Sequence, residues 1–143
     1  MNELILTDKL MTISMPVDIT KEMVMDMLVD ALEEGSNYWY SKAHYILPDG
    51  IEYEDFRPDG KFADVNKYYH PLEIVPFVPS CYLTVEDDEG KVHKLGLEEI
   101  VRGLELMKNK HTQHWLDFVT GNADADTADV WFQLCLFGEV VYG

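Results

Sequence analysis

Positive charge is what this sequence has least of: 11 Lys and Arg stand against 27 Asp and Glu, a formal net charge of −16. Nucleic-acid affinity depends on Lys and Arg displacing counterions from the phosphate backbone. Direct binding to DNA, RNA or an anionic membrane is therefore not expected. Cysteine is scarce too. Cys81 and Cys135 sit in apolar surroundings (Pro79-Ser80-Cys81-Tyr82 and Gln133-Leu134-Cys135-Leu136) and form no Cys-x-x-Cys pair, so they read as buried free thiols. No run approaches the ~20 apolar residues of a membrane span. The start, Met1-Asn2-Glu3, carries an acid where a secretory leader carries a base, and the expected location is the cytoplasm, where disulfides are rare.

Catalytic signatures are missing as well. There is no Gly-x-Ser-x-Gly, no Gly-rich phosphate loop opening a helix and no His-Glu-x-x-His. No cofactor or resident metal is implied, and the expectation leans away from an enzyme.

What is present suits a folded chain. Apolar residues make up 47% of the 143 and aromatics 12%, enough for one core and one domain over residues 1–143. Most of the acid excess lies in residues 1–100.

Residues 3–16, with Leu4, Ile5, Leu6, Leu10, Ile13 and Met15, predict a strand or hairpin closed by Pro16. Asp18 or Thr20 can cap a helix whose apolar face is Met23, Met27, Leu28, Ala31 and Leu32, with Gly35 as the left-handed residue that stops it. Ser36 to Tyr40 and Tyr45 to Leu47 predict strand. Pro48-Asp49-Gly50 and Pro58-Asp59-Gly60 predict turns, and Tyr68-Tyr69-His70-Pro71 belongs to the least readable stretch. Prolines 71, 76 and 79 demote Ile74 onward to an edge strand or extended loop.

Cys81–Val85 and Lys91–Leu95 then flank an acidic hairpin tip, Glu86 to Glu89. Helices follow over Leu97–Met107, Thr112–Val119 and from about Asp126 to Gly138. This order predicts an α+β fold: a small, mainly antiparallel sheet packed against about four helices.

Several constellations have chemistry and a plainer reading beside it. His111-Thr112-Gln113-His114 could set two imidazoles on one helix face near Asp117, yet two ligands do not make a metal site. Asn122-Ala123-Asp124-Ala125-Asp126 opens like a calcium loop. It fails at Thr127, where Gly is needed, and at Gln133, where Glu belongs; Asp126 is the expected cap of a helix starting at Thr127. Ser36-Asn37-Tyr38-Trp39-Tyr40 could line a binding face or pack into the core.

Two segments carry a resemblance. Asp30-Ala31-Leu32-Glu33-Glu34-Gly35-Ser36-Asn37-Tyr38-Trp39 is one. The other is His114-x-x-Asp117, then Asp126-Thr127-Ala128-Asp129-Val130, Gln133 and Phe137-Gly138-Glu139-Val140-Val141-Tyr142-Gly143. Together they resemble a group of small uncharacterised proteins of bacteriophages, prophages and mobile elements. Glu33-Glu34-Gly35 stands where that group often has Glu-Gly-Gly.

The resemblance implies a setting inside a bacterial host, and no mechanism. It also suggests that Asn37 and Trp39 meet Asp126, Asp129 and Gln133 in space, as a polar-capped core seam or a shared site. The candidate residues are thus Asn37, Tyr38, Trp39, His114, Asp117, Asp126, Asp129 and Gln133. The leading expectation is a non-enzymatic accessory protein that binds a protein partner with a basic surface, in its sharpest form by counter-defence or nucleic-acid mimicry. The alternatives are a small-molecule-binding or sequestering protein, and an enzyme using His114 with Asp117 or Asp126.

Overall fold

The computed structural model describes residues 8–56, 60 and 71–143. The elements in order are α1 (Lys21–Asp30), β1 (Tyr40–Ile46), the short α2 (Pro71–Ile74), β2 (Tyr82–Asp87), β3 (Val92–Leu95), α3 (Leu97–Lys110), α4 (Thr112–Val119) and α5 (Ala125–Phe137). The strands form one antiparallel sheet in the order β1-β2-β3. The fold is α+β. Among the described residues no helix is long and apolar enough to cross a membrane.

Burial shows why the pieces assemble this way. Along β2 the side chains alternate, with Leu83 and Val85 buried, and Leu83 pairs across the ladder with Leu95 of β3, also buried. One sheet face is thereby core. α5 is different: Ala128, Asp129 and every residue from Trp131 to Leu136 are buried, so it is covered on nearly all sides. α3 crosses it closely at Gly103, where a Cβ would collide with Cys135.

The hairpin and α3, α4 and α5 stand where the sequence puts them. Helix starts and stops follow ordinary capping chemistry. Thr20 Oγ1 accepts from Met23 N–H to open α1, and Gly138 takes a left-handed conformation to close α5.

Five expectations need correction. Residues 9–17 form neither strand nor hairpin but an irregular arm; residues 1–7 of that expected strand lie outside the described residues. Gly35 is not left-handed. It ends a π-helical turn, Ala31–Gly35, that continues α1, and it must be glycine because a Cβ would overlap the Ala125 carbonyl at the head of α5.

Strand β1 begins only at Tyr40, Ser36 to Trp39 being a turn. Ile74 to Phe77 is not extended: Pro71 begins a helical turn and Pro76 sits in a 3-10 turn, Val75–Phe77, positions where a missing N–H costs nothing, before Val78 returns to an extended conformation. Finally, Asp124 caps α5, accepting from Thr127 N–H at 2.9 Å, while Asp126 falls inside the first turn. The Pro48-Asp49-Gly50 turn is present, with Gly50 at positive φ and Ile51 N–H on the Pro48 carbonyl. Pro58-Asp59 and Tyr68-Tyr69-His70 lie outside the described residues.

Candidate functional site

The candidate residues divide into an interior network and an exposed face. The network centres on Asp129, the fifth residue of α5, whose carboxylate points back at the turn that precedes β1. Ser36 Oγ and Trp39 Nε1 each donate to Oδ1 at 2.8 Å, and Tyr38 Oη donates to Oδ2 at 2.7 Å. Ser36 and Trp39 are buried, and Asp129 is 9% exposed.

All three donors are neutral. A buried carboxylate without a cation persists only when hydrogen bonds replace its water, and here three do. The Tyr38 ring is half-exposed, but its hydroxyl is held in place: burial first, then donation to the Asp129 carboxylate, push its pKa up to about 12.

One turn further along α5, the buried Gln133 serves the chain end. Its Oε1 accepts from the backbone N–H of Val141 at 2.8 Å and of Tyr142 at 2.7 Å, and its Nε2 donates to the Tyr142 carbonyl at 3.0 Å. A single amide thus takes the part of a paired strand for the tail. The tail in turn covers Trp39: the Tyr142 ring stacks on the indole at 5.2 Å and 3° between planes, and Phe137 lies 5.2 Å away. Tyr142 Oη reaches Asp88 of the hairpin tip at 2.7 Å.

That tip has a buried anchor of its own. Asp87 Oδ1 accepts from Glu89 and Lys91 N–H, both at 2.9 Å, and His93 Nε2 stands 2.9 Å from Oδ2. The His93 ring, aided by the two N–H groups, holds the Asp87 carboxyl below the usual range against the opposing effect of burial. The tip is therefore not wholly a solvated turn.

The remaining candidates lie elsewhere. Asn37 is exposed and donates to the Glu33 carbonyl of its own helix end. Asp117 accepts from Gln113 one turn earlier. His114 Nδ1 meets Thr127 Oγ1 at 2.8 Å, tying α4 to the head of α5. The carboxylate whose charge it influences is the cap Asp124, held low chiefly by Thr127 N–H. His111 is the residue before α4 and not part of its face. Among the described residues no group of three or more His, Cys, Asp or Glu is placed to hold a metal.

The chain matches no protein-family model, no curated protein and no solved structure. Function has to be argued from its own geometry.

The exposed face is acidic. The end of α1 and its π turn bring Asp26, Asp30, Glu33 and Glu34 beside Asp124 and Asp126 of α5, all of them exposed. Asp30, Glu34, Asp124 and Asp126 surround an open recess of about 420 Å³. Asp30 is raised above its usual value by partial burial, then by the charges of Asp26, Glu34 and Glu33. None of the six pairs with a Lys or Arg among the described residues.

Residue-by-residue reading missed Ser36 and Tyr142 as parts of the interior network, and Asp87 and His93 as the anchor of the hairpin tip. Ser36 and Tyr142 stood inside the two resembling segments. For Asp87 and His93 no signal distinguishes them from their neighbours in the acidic tip.

Proposed function

We propose that this chain is a phage or mobile-element accessory protein acting in the cytoplasm of a bacterial host as a non-enzymatic, acidic protein-binding module. The observation that carries the reading is the face formed by Asp26, Asp30, Glu33, Glu34, Asp124 and Asp126, none of which pairs with a Lys or Arg among the described residues, and where partial burial and the charges of Asp26, Glu34 and Glu33 raise the Asp30 carboxyl. Like charges held together by a fold are a standing cost, and a basic surface laid over them removes it. The partner is thus a protein with a basic surface, such as the groove of a host nucleic-acid-binding or defence protein, which the carboxylates would occupy in place of phosphates.

The test is a tagged pull-down from nuclease-treated host lysate, repeated at high salt and with the triple variant Asp30→Asn, Glu34→Gln, Asp126→Asn. A basic host protein captured at low salt and lost both at high salt and with the variant is the expected outcome. Capture that the variant leaves unchanged would move the binding surface elsewhere. No capture at all would return weight to the small-molecule and enzymatic alternatives.

A further inference from the structure

Among the described residues, the least covered apolar side chains lie in the arm that precedes α1. Leu10 is 85% exposed, Met11 65%, Ile13 71%, Met15 79% and Val17 50%. Met11, Ile13, Met15 and Val17 thus stand exposed in one short stretch of irregular chain, with Leu10 beside them. Scattered exposed apolar residues need no explanation, but a contiguous run of this kind marks a contact surface.

A matching surface stands nearby on the same chain. Leu97, Val101, Leu104 and Lys108 recur at three- and four-residue spacing along α3, and Leu97 and Val101 remain 48% and 45% exposed. Trp115 of α4 continues this stripe. The second half of the arm already lies along it: Ser14, Met15, Val17 and Ile19 share with Val101, Leu104 and Trp115 the lining of a recess of about 610 Å³. Arm and face are therefore complementary, and neither is fully covered by the other.

We propose that the occupant is a second copy of this chain, with each arm seated on the α3–α4 face of its neighbour. Three observations favour a copy over an unrelated partner. Every chain carries both the arm and the face, so two copies satisfy both at once and the contact closes on a two-fold axis. The recess is bordered by Lys108 as well as Glu105, and so lacks the one-sided charge that would drive two acidic copies apart. The area also suffices: five side chains of on the order of 100 Å² each make two arms worth on the order of 1,000 Å², where specific interfaces begin.

The short link from Asp18 to the α1 cap Thr20 is where the arm can be redirected without disturbing a helix. This surface is separate from the acidic face, so the dimer stands or falls independently of the proposed partner.

Sedimentation velocity on the full chain should give a mass of twice 16.5 kDa, and the double variant I13D/M15D should sediment as a monomer with unchanged far-UV circular dichroism and a melting temperature that no longer depends on protein concentration. Mixing separately purified M15C and V101C chains under mild oxidation should yield a disulfide between copies. A wild-type monomer at every concentration up to about 100 µM, a range in which an interface of this size should associate, would overturn the proposal. So would a dimer that survives I13D/M15D, a disulfide that forms only within a doubly substituted chain, or a monomer whose arm is instead taken up by another protein.

Discussion

Two carboxylate-rich regions lie at opposite ends of one helix turn and are put to different use. At Asp129, the fifth residue of α5, every donor within reach is neutral and bonded to the carboxylate, and the group is buried. At Asp124 and Asp126, in the cap and first turn of the same helix, the carboxylates are exposed and face those of Asp30 and Glu34. The first arrangement uses a charge to organise the interior. The second leaves charge unspent at the surface. An acid whose oxygens are taken by donors is a structural part, as Asp124 also is through its cap on Thr127 N–H, whereas Asp30 and Glu34 stand open to solvent among other acids.

Removing Asp129 should break the contrast most severely. In Asp129→Ala two buried donors, Ser36 Oγ and Trp39 Nε1, lose their acceptor, and a loss of about 3 kcal/mol in urea unfolding is expected at ~1–3 kcal/mol per orphaned group. Asp129→Asn keeps one acceptor and should recover part of it. An Asp129→Ala chain as stable as the parent would show that the network is not structural.

Gln133→Ala comes next, at about 2 kcal/mol, because the tail N–H groups it serves can partly turn to water. Limited proteolysis should then clip residues 138–143 first. Asn37→Ala, touching only a helix-end carbonyl, is the control and should change the unfolding midpoint little.

The smallest effects are opposite in sign with pH. Asp87 has a depressed folded pKa, so its stabilisation is complete above about pH 4, the ordinary carboxylate value, and is lost as pH falls through the folded value. Asp30 has a raised folded pKa, so the folded state gains relative stability as pH falls and loses it as pH rises through the folded value. Asp87→Asn should therefore flatten the acid limb of the melting-temperature profile, and Asp30→Asn should raise the melting temperature slightly at pH 7. The same shift from both variants would erase the distinction between the two regions.

Much of this fold could be read along the chain, and for identifiable reasons. Leu97, Ile100, Val101, Leu104 and Met107 repeat at helical spacing, and Gly138 ends an apolar run, so α3 and α5 announce themselves locally. Glu86 to Gly90 between two β-prone runs announces the hairpin. The arm misled because β-prone composition does not say whether a pairing strand exists: Leu10 to Met15 have the residues of a strand and form no strand pairing among the described residues. Ile74 to Val78 misled because proline excludes a central strand without choosing between extended chain and the first turn of a helix. Asp124 and Asp126 are both good caps, two residues apart, and only the position of Thr127 N–H separates them.

The arrangement of the site was legible in part: Trp39 meets Asp129, as the resemblance implied, while Asn37 and Asp126 do not join them. Trp39, Asp129 and Gln133 were singled out together with Asn37, Asp117 and Asp126, which turn outward or bond within their own helix.

Sequence alone determined what depends on near neighbours: helix periods, the hairpin and the acid excess. Tertiary structure decided which polar groups meet, at separations of about ninety positions for Asp129 and its donors and of eight or nine for Gln133 and the tail. It turned Ser36, Tyr38 and Trp39 onto Asp129, used Gln133 as a substitute strand for the tail, and required glycine at 35 because the head of α5 passes there. The physical reason is that a polar side chain carries its donors and acceptors wherever it goes, and only the folded chain fixes whether protein or water meets them.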